Sequence, residues 1–154
     1  MEDEASDISY ININESLKKH VEKCKNKSRY HHTNAVNALY LDNILTLTEL
    51  VLSATLTLLM VILSVYDINE DIVAITSASF AFSSIVVSKI RQNYNFGLVS
   101  YSHHSVSDDF MTLRYEFISL ITEENYDTKD FKTVINKYLT VCAKGHIQSI
   151  NLLC

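Results

Sequence analysis

The sequence predicts an all-α fold: a two-span transmembrane helical hairpin with long flanking cytosolic helices and a C-terminal helix. Three observations carry this. The chain holds 13 Lys and Arg, and none of them lies between Asp42 and Lys89. Two apolar runs fill that cation-free stretch. There is no Pro, and the only Gly residues are Gly97 and Gly145, so β-turns lack their usual residues and long helices are favoured. The same scarcity of Gly excludes phosphate-cradling Gly-rich loops. A net charge of −5 argues against nucleic acid as a partner, because phosphate neutralisation needs excess Lys and Arg.

Residues 1–13 begin with the acidic MEDEASD and read as a disordered tail. A cytosolic helix is expected over 14–43, with Asn14 or Ser16 as its cap. Leu17, Val21, Cys24, Ser28, His31, Ala35, Ala38 and Asp42 recur at steps of three and four, which is a heptad seam. Lys18, Lys19, Lys25 and Lys27 lie beside it, where solvent or anionic headgroups suit them.

The hairpin is placed at 44–90, with spans 44–66 and 72–90 and a loop at 67–71. Ile44–Tyr66 contains one charged side chain, Glu49. As a helix it reaches roughly 35 Å, enough to cross a hydrocarbon core. Ile72–Ser88 is shorter, and Ile90 extends it if Lys89 snorkels to the headgroups. The loop carries Asp67, Glu70 and Asp71, whereas both outer flanks are basic. The positive-inside rule then sets both termini in the cytosol, or on the equivalent interior side of a virion. The competing arrangement is a soluble bundle with both runs buried as core helices.

Polar residues of the first span form one stripe: Thr46, Glu49, Ser53, Thr57 and Ser64, with Met60 among them. Leu47, Val51, Leu58 and Ile62 lie opposite. The second span has a small-residue stripe of Ser77, Ala81, Ser84 and Ser88, which permits close helix approach. Either the stripes pack on each other or on a neighbouring copy, or the hydroxyl stripe faces water in an oligomeric pore. Glu49 is then neutral, paired, or part of a cation-favouring ring.

A second cytosolic helix is expected over 91–122, continuing from the membrane with a bend at Gly97. Phe96, Val99, His103, Val106, Phe110, Leu113, Phe117 and Leu120 form its seam. His31-His32 and His103-His104 fall at similar heights above the membrane. Adjacent His side chains diverge by about 100° on a helix, so one of each pair is expected in the interface. They read as seam residues, with a pH-sensitive His31–His103 contact as an alternative and no metal assigned. The last segment, 127–154, is a helix capped by Asp127 or Thr128 with the apolar face Phe131, Val134, Ile135, Tyr138 and Cys142. Gly145 is its expected stop, and a tail follows. The three Cys lack metal-ligand spacing, and neither a catalytic motif nor a cofactor site emerges, so an enzyme is not expected.

The layout of Ser28-Arg29-Tyr30-His31-His32, a two-span hairpin, then His103-His104 followed by Phe110, Leu113 and Phe117 resembles the SLATT families over residues 14–122. The chain departs from their pattern in lacking a Pro at the entry to the first span and a Gly near its end, and in having Phe110 where Tyr is usual. The resemblance implies a two-span membrane protein with flanking cytosolic helices, acting as a pore-forming effector gated by a partner sensor. Similar stand-alone proteins in large DNA viruses imply an alternative, a non-conducting role in a virion membrane or in anchoring a capsid. The expected partners are the lipid bilayer, further copies of the chain, and a protein bound through the cytosolic helices.

Overall fold

The computed structural model describes the backbone of residues 2–66, 70–123 and 128–151, and it is all-α. Four helices follow in order: α1 (Glu2–Val65), α2 (Glu70–Tyr94), α3 (Phe96–Thr122) and α4 (Thr128–Asn151). Asp67, Asn69, Asp127, Cys154 and the side chain of Ser64 lie outside the described residues. The chain divides into two compact units, a bundle unit of 1–36 with 100–154 and a hairpin unit of 37–99.

The bundle unit packs α1, α3 and α4 around one apolar cluster. Leu17, Cys24, Val106, Phe110, Leu113, Phe117, Leu120, Val134 and Tyr138 form its buried centre. Val21, Phe131, Ile135 and Cys142 pack against it, so the apolar face expected for α4 is the face it buries. Phe110 and Phe117 are among the largest side chains wholly removed from solvent. Burying each such ring contributes about 1.5–3 kcal/mol relative to exposure. Exposed ion pairs from Lys137 to Glu116 and from Lys144 to Asp109 flank the α3–α4 contact.

The hairpin unit is built differently. Its half-buried positions in α1 include Leu45, Glu49, Leu52, Leu56, Leu59 and Leu63, and in α2 Val73, Phe80, Ser84, Val87 and Arg91. These are the faces along which two helices meet. The remaining apolar surface is exposed, including Leu47, Leu50, Leu58, Ile75, Phe82 and Ile85. Two helical stretches, within Ile13–Leu63 and Asp71–Thr122, are long and apolar enough to cross a membrane. Their most apolar windows contain no buried residue, unlike the core helices of a soluble bundle.

Several boundaries differ from those expected. The helix begins at Glu2, so the reading of 1–13 as a disordered tail gives way to helical backbone, and Asn14 and Ser16 lie inside α1. No Gly or Pro interrupts residues 2–16, and the Ser16 carbonyl accepts a bond from His20 Nδ1 at 2.8 Å. The break expected at Gly97 occurs instead at Asn95, whose φ is 41°. Asn tolerates this left-handed conformation better than most residues. It also serves both helices: its N–H donates to the Arg91 carbonyl, and its Oδ1 accepts from Leu98 N–H at 3.4 Å, an N-cap for α3.

Gly145 is not a stop either, for α4 runs through it to Asn151. A Cβ there would meet His31 Nε2 at 3.2 Å and Val106 Cγ1 at 3.3 Å. The missing side chain lets α4 close on the α1–α3 seam.

Candidate functional site

Two groups of polar residues stand out, one in each unit. In the bundle unit the α1–α3 seam carries three polar rungs. Ser100 Oγ donates to the Ala35 carbonyl at 2.8 Å. Ser107 Oγ donates to the Ser28 carbonyl at 3.1 Å, which leaves its own oxygen to accept from Ser28 Oγ, also at 3.1 Å. Between these rungs His31 Nδ1 and His103 Nδ1 lie 2.9 Å apart, so one ring donates and the other accepts. All five side chains are buried and all are satisfied. Each bond contributes only about 1 kcal/mol net, but a slip along the seam would leave buried polar groups unpaired. The rungs therefore fix the register of α1 against α3.

The His31 ring also stacks on Phe110 at 5.9 Å. Burial pushes the pKa of His31 below its ordinary value, with His103 and then Lys27 adding to the effect, and burial does the same to His103. The uncharged pair is thus the stable form near neutrality. The flanking residues His32 and His104 also meet, with rings 5.4 Å apart at a steep angle. One His of each pair, His31 and His103, is buried in the seam, and the second pair flanks it, close enough for its rings to touch. Among the described residues, no group of three or more His, Cys, Asp and Glu is disposed to hold a metal ion.

Of the residues singled out in the seam, His31, His103, Val106, Phe110, Leu113 and Phe117 are all buried there. Ser100 and Ser107 are additional members that apolar periodicity cannot reveal. The signal for them was Ser at the same three-and-four spacing.

In the hairpin unit, Arg91 of α2 bridges two carboxylates of α1. Its Nε donates to Asp42 Oδ1 at 3.3 Å and its Nη1 to Glu49 Oε2 at 3.5 Å. Glu49 is therefore paired. Two carboxylates and one guanidinium leave one net negative charge beside a polar cavity of about 400 Å³, also lined by Ser88, Gln92 and Asn95. Adjoining it on α1, Thr46, Glu49, Leu50, Ser53, Ala54 and Thr57 line an open groove of about 440 Å³.

Thr46, Ser53 and Thr57 are exposed, so this face of α1 is not the one that packs on α2. Thr46 donates to the Asp42 carbonyl at 2.7 Å and Thr57 to the Ser53 carbonyl at 3.0 Å. A hydroxyl whose proton is bound to its own helix still offers lone pairs outward. The small-residue stripe of α2 is divided. Ser77, Ser84 and Ser88 are half-buried, Ser77 Oγ donates to Met60 Sδ at 3.2 Å, and Ala81 is exposed.

No curated protein and no solved structure matches the chain. Residues 14–139 match SMODS and SLOG-associating 2TM effector domain family 4, which covers both apolar helices, the histidine seam and the first half of α4. With its two membrane-crossing stretches and their exposed apolar surface, the chain belongs to this SLATT family of two-span effector domains and is a membrane protein of effector type.

Proposed function

We propose that the protein is a pore-forming effector subunit that assembles from several copies, with both termini on the cytosolic side. The groove face of α1 lines the path. The observation that carries this reading is the exposure of Thr46, Ser53 and Thr57 on a face that the hairpin does not use for its own packing. Hydroxyl groups facing lipid gain nothing, whereas hydroxyl groups facing water or another helix do. With the protons of Thr46 and Thr57 held internally, these two side chains present oxygen acceptors, which suit a passing cation. The residual negative charge of Asp42, Glu49 and Arg91 acts in the same direction. The proposed role involves no catalytic step.

Flux of potassium from liposomes containing the purified chain tests the reading. Flux is expected with the wild-type chain, and Glu49→Gln should lower cation preference without dispersing the assembly. Leu58→Gln, on an exposed apolar face, should mainly impair insertion. Absence of flux from an inserted, folded oligomer would reject the pore and favour the alternative, a non-conducting structural or assembly protein of a membrane such as that of a large DNA virus.

A further inference from the structure

The bundle unit contains a sulfur cluster that the pore reading does not use. Cys142 of α4 is half-buried, and Lys27 of α1 donates to its Sγ at 3.2 Å. Cys24 lies one turn before Lys27 on the same face of α1 and is wholly buried in the apolar cluster against which Cys142 packs. His20 and Lys27, one turn to either side of Cys24 on α1, meet Tyr138 and Cys142 of α4, the first pair with rings 5.4 Å apart, so α4 crosses the turn that carries Cys24. Packed helices with axes about 8–10 Å apart bring facing Cβ atoms within reach of a disulfide.

We propose that Cys142 is a site of oxidation by hydroperoxides and that Cys24 resolves it, closing a disulfide that ties α4 to α1. An ammonium directed at a partly accessible sulfur is the surrounding in which proteins keep a reactive cysteine. Nζ of Lys27 is itself held in place, 5.4 Å from the Phe110 ring centroid and 5.7 Å from that of Tyr138. Cys24 has the complementary character. Burial foremost, and then Cys142, push its thiol up to about 11, with Lys27 opposing them, so it stays protonated and is shielded from attack.

The chemistry balances in two steps. The Cys142 sulfur attacks the peroxide O–O bond, an S–O bond forms, and the alcohol or water leaves with the proton the thiol gave up. Cys142 becomes a sulfenic acid, oxidised by two electrons while the peroxide is reduced. The Cys24 sulfur then attacks the Cys142 sulfur. The S–O bond breaks, an S–S bond forms, and the hydroxyl departs as water with the Cys24 proton.

The test uses the full-length chain in detergent micelles with Cys154→Ser, so that two cysteines remain. Hydrogen peroxide is added and the products are resolved by non-reducing electrophoresis and peptide mass mapping. A Cys24–Cys142 link within single chains, reversed by dithiothreitol, is expected. In the Cys24→Ala variant, dimedone should trap the sulfenic acid on Cys142, and Lys27→Gln should slow its formation by roughly fivefold or more. The Cys154→Ser arm needs no core substitution, so it stands even if Cys24→Ala misfolds. Links only between chains, two free thiols at peroxide levels that oxidise free cysteine, or a rate indifferent to Lys27→Gln would each overturn the proposal.

Discussion

Replacing Arg91 by Gln is the sharpest test of how charge is arranged in the hairpin unit. The guanidinium lies 3.3 Å from Asp42 and 3.5 Å from Glu49, and all three side chains are only partly exposed. Its loss changes the local charge from −1 to −2, since both carboxylates remain. At about 8 Å, one added negative charge attracts a monovalent cation by about 0.5 kcal/mol at a dielectric of 80 and about 2 kcal/mol at 20. Local cation enrichment should therefore rise by a factor between roughly 2 and 30. The assay is the reversal potential across a planar bilayer under a potassium chloride gradient. It should move toward the potassium equilibrium potential in Arg91→Gln. The double variant Arg91→Gln/Glu49→Gln restores a net charge of −1 and should return toward the wild-type value. A conducting Arg91→Gln channel with an unchanged reversal potential would refute the reasoning, because the three charges would then not face the path.

Phe110→Asp buries an unpaired charge against His31 and Tyr138 and should cost about 3–5 kcal/mol, read as a lowered midpoint of denaturation in micelles. Acid should weaken the bundle unit in a defined direction. His31 and His103 have folded-state pKa values below their ordinary 6.5, so the unfolded chain binds protons first. Their contribution is complete above about pH 6.5 and is lost as pH falls through the lowered values, so thermal melts should be flat above that point and decline below it. Topology is checked by cysteine labelling: Asn69→Cys should react from the far side of the membrane, and Tyr101→Cys, at an exposed position, from the cytosolic side.

The elements that the sequence revealed are those governed by local periodicity. Leu17, Cys24, His31 and Ala35 recur at seam spacing and are buried there. The apolar runs were legible because lipid demands a long uncharged stretch, which no soluble helix needs. What stayed hidden depends on the third dimension. Arg91 reaches Glu49 across 42 positions of chain, and Lys27 reaches Cys142 across 115. No spacing rule connects such pairs. Asn95 carried a readable signal, since Asn both caps helices and tolerates positive φ, but the nearby Gly97 was the more obvious breaker. Gly145 was misread for the same reason: Gly marks a helix end or a close approach, and only packing tells the two apart.

That close approach at Gly145 gives α4 an uneven tolerance to mutation. Its neighbours Lys144 and His146 are exposed and should accept most polar residues with little change. At Gly145 itself, Ala improves helix propensity by about 1 kcal/mol but sets a methyl against His31 and Val106, so gain and crowding nearly cancel. Any larger residue meets the histidine ring with nothing to offset the clash. A saturation scan from Lys144 to His146 would therefore show a gap at the middle position alone, located by the seam of two other helices and not by the apolar face that buries Val134 and Tyr138.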